Sequence, residues 1–347
     1  MRYVSSVWPL WLAVAALTVH AAAQAPARSS GAATASTLRQ VAYIKASNPG
    51  EEDKFGDIVA LSGDGNTLAV GAPLESSAAK GINGKGATDA GQSSGAVYIY
   101  VRNGNRWAEQ AYIKASNPGA DDQFGYVVAL SADGNTLVVS APSEDSAATG
   151  VNGNQEDNSI ESAGAVYVFA RTRTTWSQQA YLKASNTGEK AEGDQFGYSV
   201  SVSGDGNTIA VGAIGEDSAA TGINGNQQDN SVGGSGAAYL FTRSGNVWSQ
   251  QAYVKSSTAA RNALFGYSVA LSANGDTLAA GAFDEDRGKG ALYVFTRSGA
   301  TWSQQARMQP ATLDAQDSMG CWVAITWMHS SSMAKRLRLM SWSCSTT

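Results

Sequence analysis

The sequence predicts an all-β fold, a β-propeller built from four-stranded antiparallel blades, with four full repeats and an incomplete fifth. Three observations predict it: a period of about seventy residues, a hydrophobic period of two within each copy, and aromatic residues that keep one register. The body of the repeats spans residues 40–306.

The repeat is visible as a returning segment. Ala42–Asn48 recurs as Ala111–Asn117 and Ala180–Asn186, and more loosely as Ala252–Thr258, at spacings of 69, 69 and 72 residues. A Phe-Gly pair and a tryptophan recur with it: Phe55-Gly56, Phe124-Gly125, Phe196-Gly197 and Phe265-Gly266, and Trp107, Trp176, Trp248 and Trp302. Four copies in one register exclude coincidence.

Each copy reads as four strands in order. Large and small side chains alternate in Phe265–Leu271, which is typical of a strand. A tight turn follows, Asp64–Thr67 in the first copy, where Gly and Asn accept the positive φ that a hairpin requires. The second strand, Leu68–Pro73, consists of small apolar residues and suits a crowded position. A long polar loop leads to a third strand such as Ala165–Phe169, and the fourth strand opens at the tryptophan.

Such a sheet cannot bury both faces alone. Units of this kind in tandem are stacked about an axis in a β-propeller. Two β-sandwiches would bury a comparable area, but they do not require the same register four times, so we favour the propeller.

The repeat resembles a known family. Phe55-Gly56, with Gly71-Ala72-Pro73 sixteen residues after the phenylalanine, is similar to the FG-GAP repeat of the integrin α-subunit propeller and its bacterial relatives. The resemblance covers about residues 40–306 and implies a propeller, seven-bladed in integrins, that serves extracellular binding and adhesion. It also implies calcium bound by an Asp-x-Asp-x-Asp-Gly loop between the first two strands. Here that loop has shrunk to Ser62–Asn66 with one carboxylate, which argues against calcium at that position.

The N-terminus predicts export. Arg2, an apolar run over residues 7–19 and three alanines match a secretory signal peptide over residues 1–23, with cleavage near Gln24. Residues 24–39 read as a linker. We expect a secreted, periplasmic or cell-surface protein with no membrane span after cleavage; an uncleaved anchor is the alternative.

Two features disturb the repeat count. Val41–Ser47 reads as a fourth-type strand ahead of the first copy, yet Trp302–Met308 already fills the fourth position of the last one. Residues 307–347 form an aberrant tail: Asp317–Ile325 aligns with Asp122–Leu130, so a fifth repeat begins, but no turn or second-strand motif follows. An interrupted reading frame or a truncation would explain this, and an amphipathic tail for a partner is the other interpretation.

The long loops between second and third strands are the candidate binding sites. They join equivalent strands, so they should project from one rim. Two of them repeat acidic and amide side chains at matching positions, which are candidate ligand-binding residues and candidate calcium ligands: Glu144, Asp145, Asn152, Asn154, Asp157, Glu216, Asp217, Asn224, Asn226 and Asp229. The alternative is solvated polar loops capped by Asn and Asp turns.

The remaining repeated residues are interpreted as structural. The tryptophans could stack on sugars, but their fixed register favours packing between blades. The four Phe-Gly phenylalanines are assigned to the core. The repeated lysines, Lys45, Lys114, Lys183 and Lys255, are expected on outer strands, where they would discourage edge pairing.

Charge and composition narrow the function. Residues 40–306 hold 17 Lys and Arg against 27 Asp and Glu, so nucleic acid is a poor partner, and they contain neither histidine nor cysteine. We therefore expect a non-enzymatic module that binds an extracellular protein or glycan. The alternatives are a propeller-fold glycosidase or polysaccharide lyase that uses carboxylates, lysine or tyrosine, and a truncated fragment without function.

Overall fold

The computed structural model describes residues 39–84, 89–187, 193–309, 311, 317–328 and 336–343. Within these ranges the chain forms four sheets of four strands each, a last sheet of two strands, and one short helix. The elements are β1 (Val59–Leu61), β2 (Thr67–Ala72), β3 (Ala96–Asn103), β4 (Arg106–Ile113), β5 (Val128–Leu130), β6 (Thr136–Ala141), β7 (Ala165–Thr172), β8 (Thr175–Leu182), β9 (Phe196–Val202), β10 (Thr208–Ala213), β11 (Ala237–Ser244), β12 (Val247–Val254), β13 (Phe265–Leu271), β14 (Thr277–Ala282), α1 (Glu285–Gly288), β15 (Ala291–Ser298), β16 (Thr301–Met308), β17 (Met319–Met328) and β18 (Arg336–Ser343).

Each four-stranded sheet is one blade, and its strands pair in chain order. Blade 1 is β1–β4, blade 2 is β5–β8, blade 3 is β9–β12 and blade 4 is β13–β16, all antiparallel. This confirms the predicted four-stranded meanders and the all-β propeller. The sequence encodes the arrangement locally, because every pair of successive strands is joined by a turn or loop with its own register.

The first turn of each blade closes on its own side chains. In blade 1 the Asp64 carboxylate accepts hydrogen bonds from Ser62 Oγ at 2.5 Å and from Asn66 N at 2.9 Å. These bonds hold the pKa of Asp64 below its ordinary value. Asp133 and Asp205 accept the same bonds in the next two blades. The turn chemistry therefore fixes the β-hairpin without any ligand.

The blades lean on one another through their first strands and the Phe-Gly pair. Strand β9 contacts both β5 and β13, so the first strands lie nearest to the axis. Phe196 is fully buried, and Gly197 has a φ of +97°; a Cβ added there would lie 2.9 Å from the carbonyl oxygen of Ala165 in blade 2. Only glycine fits where the two backbones approach so closely.

The core lies between blades. Phe124 of blade 2 is fully buried and meets the ring of Tyr167 edge-on at 5.2 Å, while Ile113 and Ala115 of blade 1 complete the same cluster. All six residues of β6 are buried, in agreement with the crowded second strand predicted from small apolar residues. Blades 2 and 3 therefore each contribute one wall to two neighbouring clusters, as a propeller requires.

The segment before blade 1 differs from its prediction. Residues 41–46 form no strand, so the expected fourth-type strand is wrong as a sheet element. Ile44 and Ala46 nevertheless pack against the buried cluster of blade 1 that contains Tyr98 and Tyr100, where the fourth strand of a preceding blade would lie. The segment has the side chains of that strand, but the part of the chain that the structure describes places no third strand beside it to supply hydrogen bonds.

The tail holds a second difference. Strand β17 occupies the first-strand position of a fifth blade, as predicted: it contacts β13 and β14, and Gly290 forms a bridge with Met319. We expected no second strand after Ile325, but β17 continues to Met328 and pairs with β18. The missing turn motif therefore does not prevent a second strand, because ladder pairing needs compatible backbone rather than one turn sequence.

Residues 1–38 lie outside the described residues, and with them the predicted signal peptide and nearly all of the predicted linker. Among the residues that are described, no helix is long and apolar enough to cross a membrane.

Candidate functional site

In their described parts, which leave out residues 85–88, the three long loops make equivalent contacts with the fourth strand of their own blade. They connect β2 to β3, β6 to β7, and β10 to β11. In the second loop Asn152 N donates to Tyr181 O at 2.7 Å, and Tyr181 N donates to Asn152 Oδ1 at 2.9 Å. Asn224 and Tyr253 repeat both bonds in the third. Because equivalent loops bridge to equivalent strands, they share one face, here named the upper face, as the sequence predicted.

A buried ion pair supports each of these loops. In blade 2 Lys183 Nζ lies 2.9 Å from Glu144 Oε2, and both side chains are at most 1% exposed. Blade 1 pairs Lys114 with Glu75 at 2.6 Å, and blade 3 pairs Lys255 with Glu216. Burial lowers the pKa of Lys183, and the adjacent Glu144 opposes that shift. The glutamate at the start of each loop is thereby tied to the end of the fourth strand.

This pairing corrects one prediction. Lys114, Lys183 and Lys255 do not protect an exposed edge; they are buried, and of the four repeated lysines only Lys45 is exposed. Glu144 and Glu216, the candidate ligand-binding glutamates, are buried as well, and each carboxylate contacts a lysine and accepts a hydrogen bond from a tyrosine hydroxyl. The reason is electrostatic, since a buried ammonium and a buried carboxylate each need the other.

The same carboxylate also joins two blades. Glu144 Oε1 accepts hydrogen bonds from Tyr181 at 2.7 Å and from Asn117 Nδ2 at 3.0 Å, and Tyr167 donates to Asn117 Oδ1 at 2.7 Å. Asn117 belongs to the connection that leaves blade 1. The loop base is therefore fixed to its own blade and to the preceding one, which gives the upper face a rigid support.

Blade 4 forms an equivalent ion pair from different residues. Its loop is short, and Glu285 takes the position of Glu144. Gln309 stands where the lysine stood and Arg307 where the tyrosine stood; Arg307 Nη2 lies 2.6 Å from Glu285 Oε1. The cation has moved by two residues along the strand while the ion pair is kept. The pair is thus a requirement of the blade and not of the long loop.

The other predicted site residues act mainly as turn caps. Asp145 Oδ1 accepts from Ser162 N at 2.8 Å, and Asp217 Oδ1 accepts from Gly234 N at 2.6 Å. Asn154, Asp157, Asn226 and Asp229 accept from backbone N–H groups of their own loops in the same way. Asn152, Asn154, Asn224 and Asn226 remain exposed on the upper face.

These donors do not fit a calcium ion. A calcium site needs six to eight converging oxygens, several of them carboxylates. In the described parts of the chain no three His, Cys, Asp or Glu side chains gather in a way that could hold a metal. The loop carboxylates already accept backbone hydrogen bonds, which is the arrangement of capped polar loops.

A cleft opens on the upper face between the loops of blades 2 and 3. It has a volume of about 580 Å³. Its walls carry charged, polar and apolar groups from both loops, from the connection between blades 2 and 3 and from the connection between blades 3 and 4: Glu161, Gln195, Asp217, Gly234, Arg261 and Leu264. Of the predicted site residues, Asp217 is the one that lines it. Arg261 lies near it, since a Cβ added at Gly233 would lie 2.8 Å from Arg261 Nη1 and 3.9 Å from Asp217 Oδ1, so the cleft offers both signs of charge to a polar ligand.

A buried carboxyl lies behind this cleft. Asp194 is flanked by the lining residues Gly193 and Gln195, is 3% exposed, and its Oδ2 has no hydrogen-bond partner. Burial raises its pKa to about 7, and the nearby Glu216 and Asp217 add to the shift. Asp122, at the same position of the previous repeat, has a pKa raised to about 7 for the same first reason. Ala263 takes this position in the fourth repeat.

The tryptophans are structural, as favoured over sugar stacking. Trp248 is 3% exposed, its Nε1 donates to Gln179 of blade 2 at 2.7 Å, and the Arg243 guanidinium lies over its ring at 5.3 Å. Trp176 and Trp302 make the same contacts. Each tryptophan therefore joins a blade to the one before it. The exception is Trp107 in blade 1, which is half-buried.

The sequence analysis did not predict the Lys–Glu ion pair or the contact of each tryptophan with its glutamine and arginine partners, although the repeats contain a signal for both. A lysine and a glutamate of opposite charge recur in register in three repeats, and both partners of the tryptophan recur with it. In the fourth repeat lysine and tyrosine change together, to Gln309 and Arg307. Coupled changes at two positions indicate contact in space.

Three bacterial proteins are among the solved structures to which the chain is similar at low sequence identity. The chain is similar to a candidate 6-phosphogluconolactonase of Bacteroides uniformis, with 12% identity, a TM-score of 0.46, and coverage of 82% of this chain and 66% of the other. A periplasmic gluconolactonase of Pseudomonas aeruginosa has 15% identity and a TM-score of 0.44, with coverage of 82% of this chain and 64% of the other. TolB of Acinetobacter baumannii has 11% identity and a TM-score of 0.37, with coverage of 82% of this chain and 51% of the other. The chain thus spans less than two thirds of the length of these proteins. No curated protein matches the sequence significantly.

Comparison with protein families gives a direct result. The FG-GAP repeat profile matches residues 38–100, 107–169, 176–241 and 248–295, which are four repeats and more than half of the chain. The matches end within the third strand of each blade and so follow the structural repeat. The chain belongs to the FG-GAP repeat family.

Proposed function

We propose that this chain is a non-enzymatic binding module that holds an extracellular protein or glycan on its upper face. One observation carries the proposal. Three loops of equivalent build rise from buried Lys–Glu supports, and two of them enclose a cleft of about 580 Å³ lined by Asp217 and Arg261. A rigid scaffold that carries exposed polar loops is the usual design of a binding surface.

The repeated build favours binding over catalysis. A catalytic centre is one asymmetric cluster in which a proton carrier touches the substrate. Glu144 and Glu216 occupy equivalent places in two blades, and each is buried against a lysine. Repetition of this kind stabilises a scaffold, and the exposed amides of Asn154 and Asn226 are suited to hydrogen bonding with a polar partner.

Export fits this role. The pattern of residues 1–23 is that of a signal peptide, and an adhesive module acts outside the cytoplasm. We therefore place the mature protein in the periplasm, on the cell surface or in the medium. N-terminal sequencing of the protein recovered from cell fractions tests this, with a mature terminus near Gln24 expected.

A carbohydrate-active enzyme is the second candidate, and Asp194 is the observation that favours it. A carboxyl whose pKa is near 7 beside a cleft has the property of a general acid. Its side chain is 3% exposed and is not among the cleft-lining residues, however, and Asp122 repeats it one blade earlier. A general acid must reach its substrate, so binding remains the first proposal.

The test is a glycan and matrix-protein array probed with the full chain, with and without calcium. We expect at least one ligand to bind, and we expect Arg261→Glu, in the cleft wall, to weaken binding by tenfold or more. Thr174→Glu, an exposed change in the turn between β7 and β8, is the matched control. An array with no bound ligand, or a ligand lost equally with both variants, contradicts the proposal; cleavage of a bound glycan during incubation supports the enzyme instead.

A further inference from the structure

Exposed large hydrophobic side chains concentrate at the two ends of the row of blades. Within the described ranges six are exposed, and five of these lie on or before blade 1 or on the last sheet: Val41, Tyr43, Val59, Leu61 and Trp322. The sixth, Val247, is the first residue of β12. Clustered exposed apolar groups mark interaction surfaces.

The front end exposes a face that every other blade buries. Val128 and Leu130 of blade 2, the counterparts of Val59 and Leu61, pack against Ala69 and other side chains of blade 1. Val59 is 49% exposed and Leu61 42%. Residues 56, 59 and 61 are here named the front face.

The glycine of the first Phe-Gly pair also lacks the backbone neighbour that its counterpart in blade 2 has. A Cβ added at Gly125 would lie 2.5 Å from the carbonyl oxygen of Ala96 in blade 1, whereas nothing lies within 4 Å of one added at Gly56. The second strand of blade 1 meets the same pair, since a Cβ added at Gly71 would lie 2.3 Å from the carbonyl oxygen of Gly125. The backbone of the front face is therefore shaped for the second and third strands of a preceding blade, which the described residues do not place there.

Only the part of this interface that lies nearer to the propeller axis is uncovered by the described residues. Ile44 and Ala46 already cover the outer half, in the position that Ile113 and Ala115 take against blade 2. What would fit is therefore a sheet that has its inner strands and lacks the outer ones.

The rear end offers such a sheet. The residue three positions after the phenylalanine of a Phe-Gly pair faces the next blade. Ser199 Oγ donates to Gly266 O at 2.7 Å, and Ser268 Oγ donates to Gly320 O. Trp322 occupies the position in β17 and is 61% exposed. The rear sheet consists of β17 and β18, the two inner strands of a blade. The outward side of β17 that bears Trp322 is here named the rear face.

We propose that a second copy of this chain docks head to tail, the rear face of one copy on the front face of the other. The contact between successive blades is heterologous and forms three apolar clusters inside the chain. The front face and the rear face are the two halves of such a contact, and both are apolar. The indole of Trp322 would cover Val59 and Leu61, and β18 would lie beside Gly56, as the second strand of blade 1 lies beside Gly125. A heterologous contact either closes into a ring or continues as a filament.

Molar mass by light scattering after size exclusion tests this with the full chain. Wild type should run as a dimer or larger at tens of micromolar. Leu61→Glu on the front face and Trp322→Glu on the rear face should each yield monomers, while Val247→Glu, equally apolar and exposed but remote from both faces, should leave the mass unchanged. Each variant keeps one intact face of opposite type, so an equimolar mixture of the first two should form a dimer.

The equimolar mixture of Leu61→Glu and Trp322→Glu distinguishes a head-to-tail contact from other modes of association. A monomeric wild type, a mixture that remains monomeric, or a Val247→Glu variant that dissociates as fully as the others overturns the proposal. The far-ultraviolet circular dichroism of each variant must match wild type; if Leu61→Glu fails to fold, Val59→Lys takes its place on the front face. Ligand binding on the upper face does not enter these measurements, so the two proposals stand or fall separately.

Discussion

The buried ion pair of blade 2 gives the sharpest test of how the fold is held. Lys183→Gln removes the cation that lies 2.9 Å from Glu144 and leaves a carboxylate that is 1% exposed. Tyr181 and Asn117 still donate hydrogen bonds to it, but no charge opposes it. Breaking a buried pair in this way costs about 3–5 kcal/mol. At about 2–4 °C for each kcal/mol, Tm should fall by roughly 6–20 °C.

Blade 4 supplies the rescue. There Gln309 stands at the lysine position, and Arg307 pairs with Glu285 at 2.6 Å. Adding Tyr181→Arg to Lys183→Gln copies that arrangement into blade 2, and the charge-assisted bond should restore about 1.5–3 kcal/mol. Tyr181→Arg alone should destabilise, because it places two cations beside one carboxylate. The two changes must therefore be coupled and not additive.

The assay is urea unfolding of wild type, both single variants and the double variant, with hydrogen exchange to locate the loss in blade 2. Lys80→Gln is the control, since Lys80 is exposed and should change stability by no more than about 0.5 kcal/mol. A loss below about 1 kcal/mol for Lys183→Gln, or a double variant no more stable than that single one, would refute the reasoning.

Three further predictions concern the interblade contacts. Burial raises the pKa of Asp194 from 3.8 to about 7, so the folded state binds this proton more tightly than the unfolded chain, and stability should fall as pH rises across that range. Between pH 5 and 8 this group should lower the free energy of unfolding by about 2.5 kcal/mol, and Asp194→Asn should remove that part of the pH dependence measured in urea; an unchanged pH dependence would contradict the assignment. Trp248→Phe should cost about 1 kcal/mol more than Trp107→Phe in the same assay, since an Nε1 hydrogen bond is lost only in the first; equal losses would show that the bond contributes nothing. Gly197→Ala and Gly56→Ala both strain a positive φ, but only the first meets a carbonyl oxygen, so its Tm should fall several degrees further, and equal shifts would contradict close blade packing.

Periodicity predicted most of the fold, because every element depends on local sequence. Alternation in Phe265–Leu271 marks a strand wherever it lies, and the turn at Asp64 closes on its own neighbours. The same logic failed for Val41–Ser47, whose side chains match a fourth strand although no third strand is there to pair with it. It failed again for the second strand of the fifth sheet, which forms without its turn motif.

The candidate site was less accessible to sequence reasoning. The loops and their common face could be predicted, since equivalent strands must be joined on the same side. The role of each acidic residue could not: Glu144 and Asp145 are neighbours in the chain, yet one is buried against Lys183 and the other caps a turn. Burial at this site depends on residues 39 positions away, and no local pattern reports it.

The amino-acid sequence alone determined the repeating unit, its four strands, its hairpin turns and its membership of the FG-GAP repeat family, because these follow from periodicity and short-range backbone chemistry. Tertiary structure decided which charges are hidden and which face a ligand, where the cleft opens, and which sheet faces remain without a neighbour. Those properties arise from the stacking of one blade on the next, and stacking brings together side chains that identical repeats place far apart along the chain.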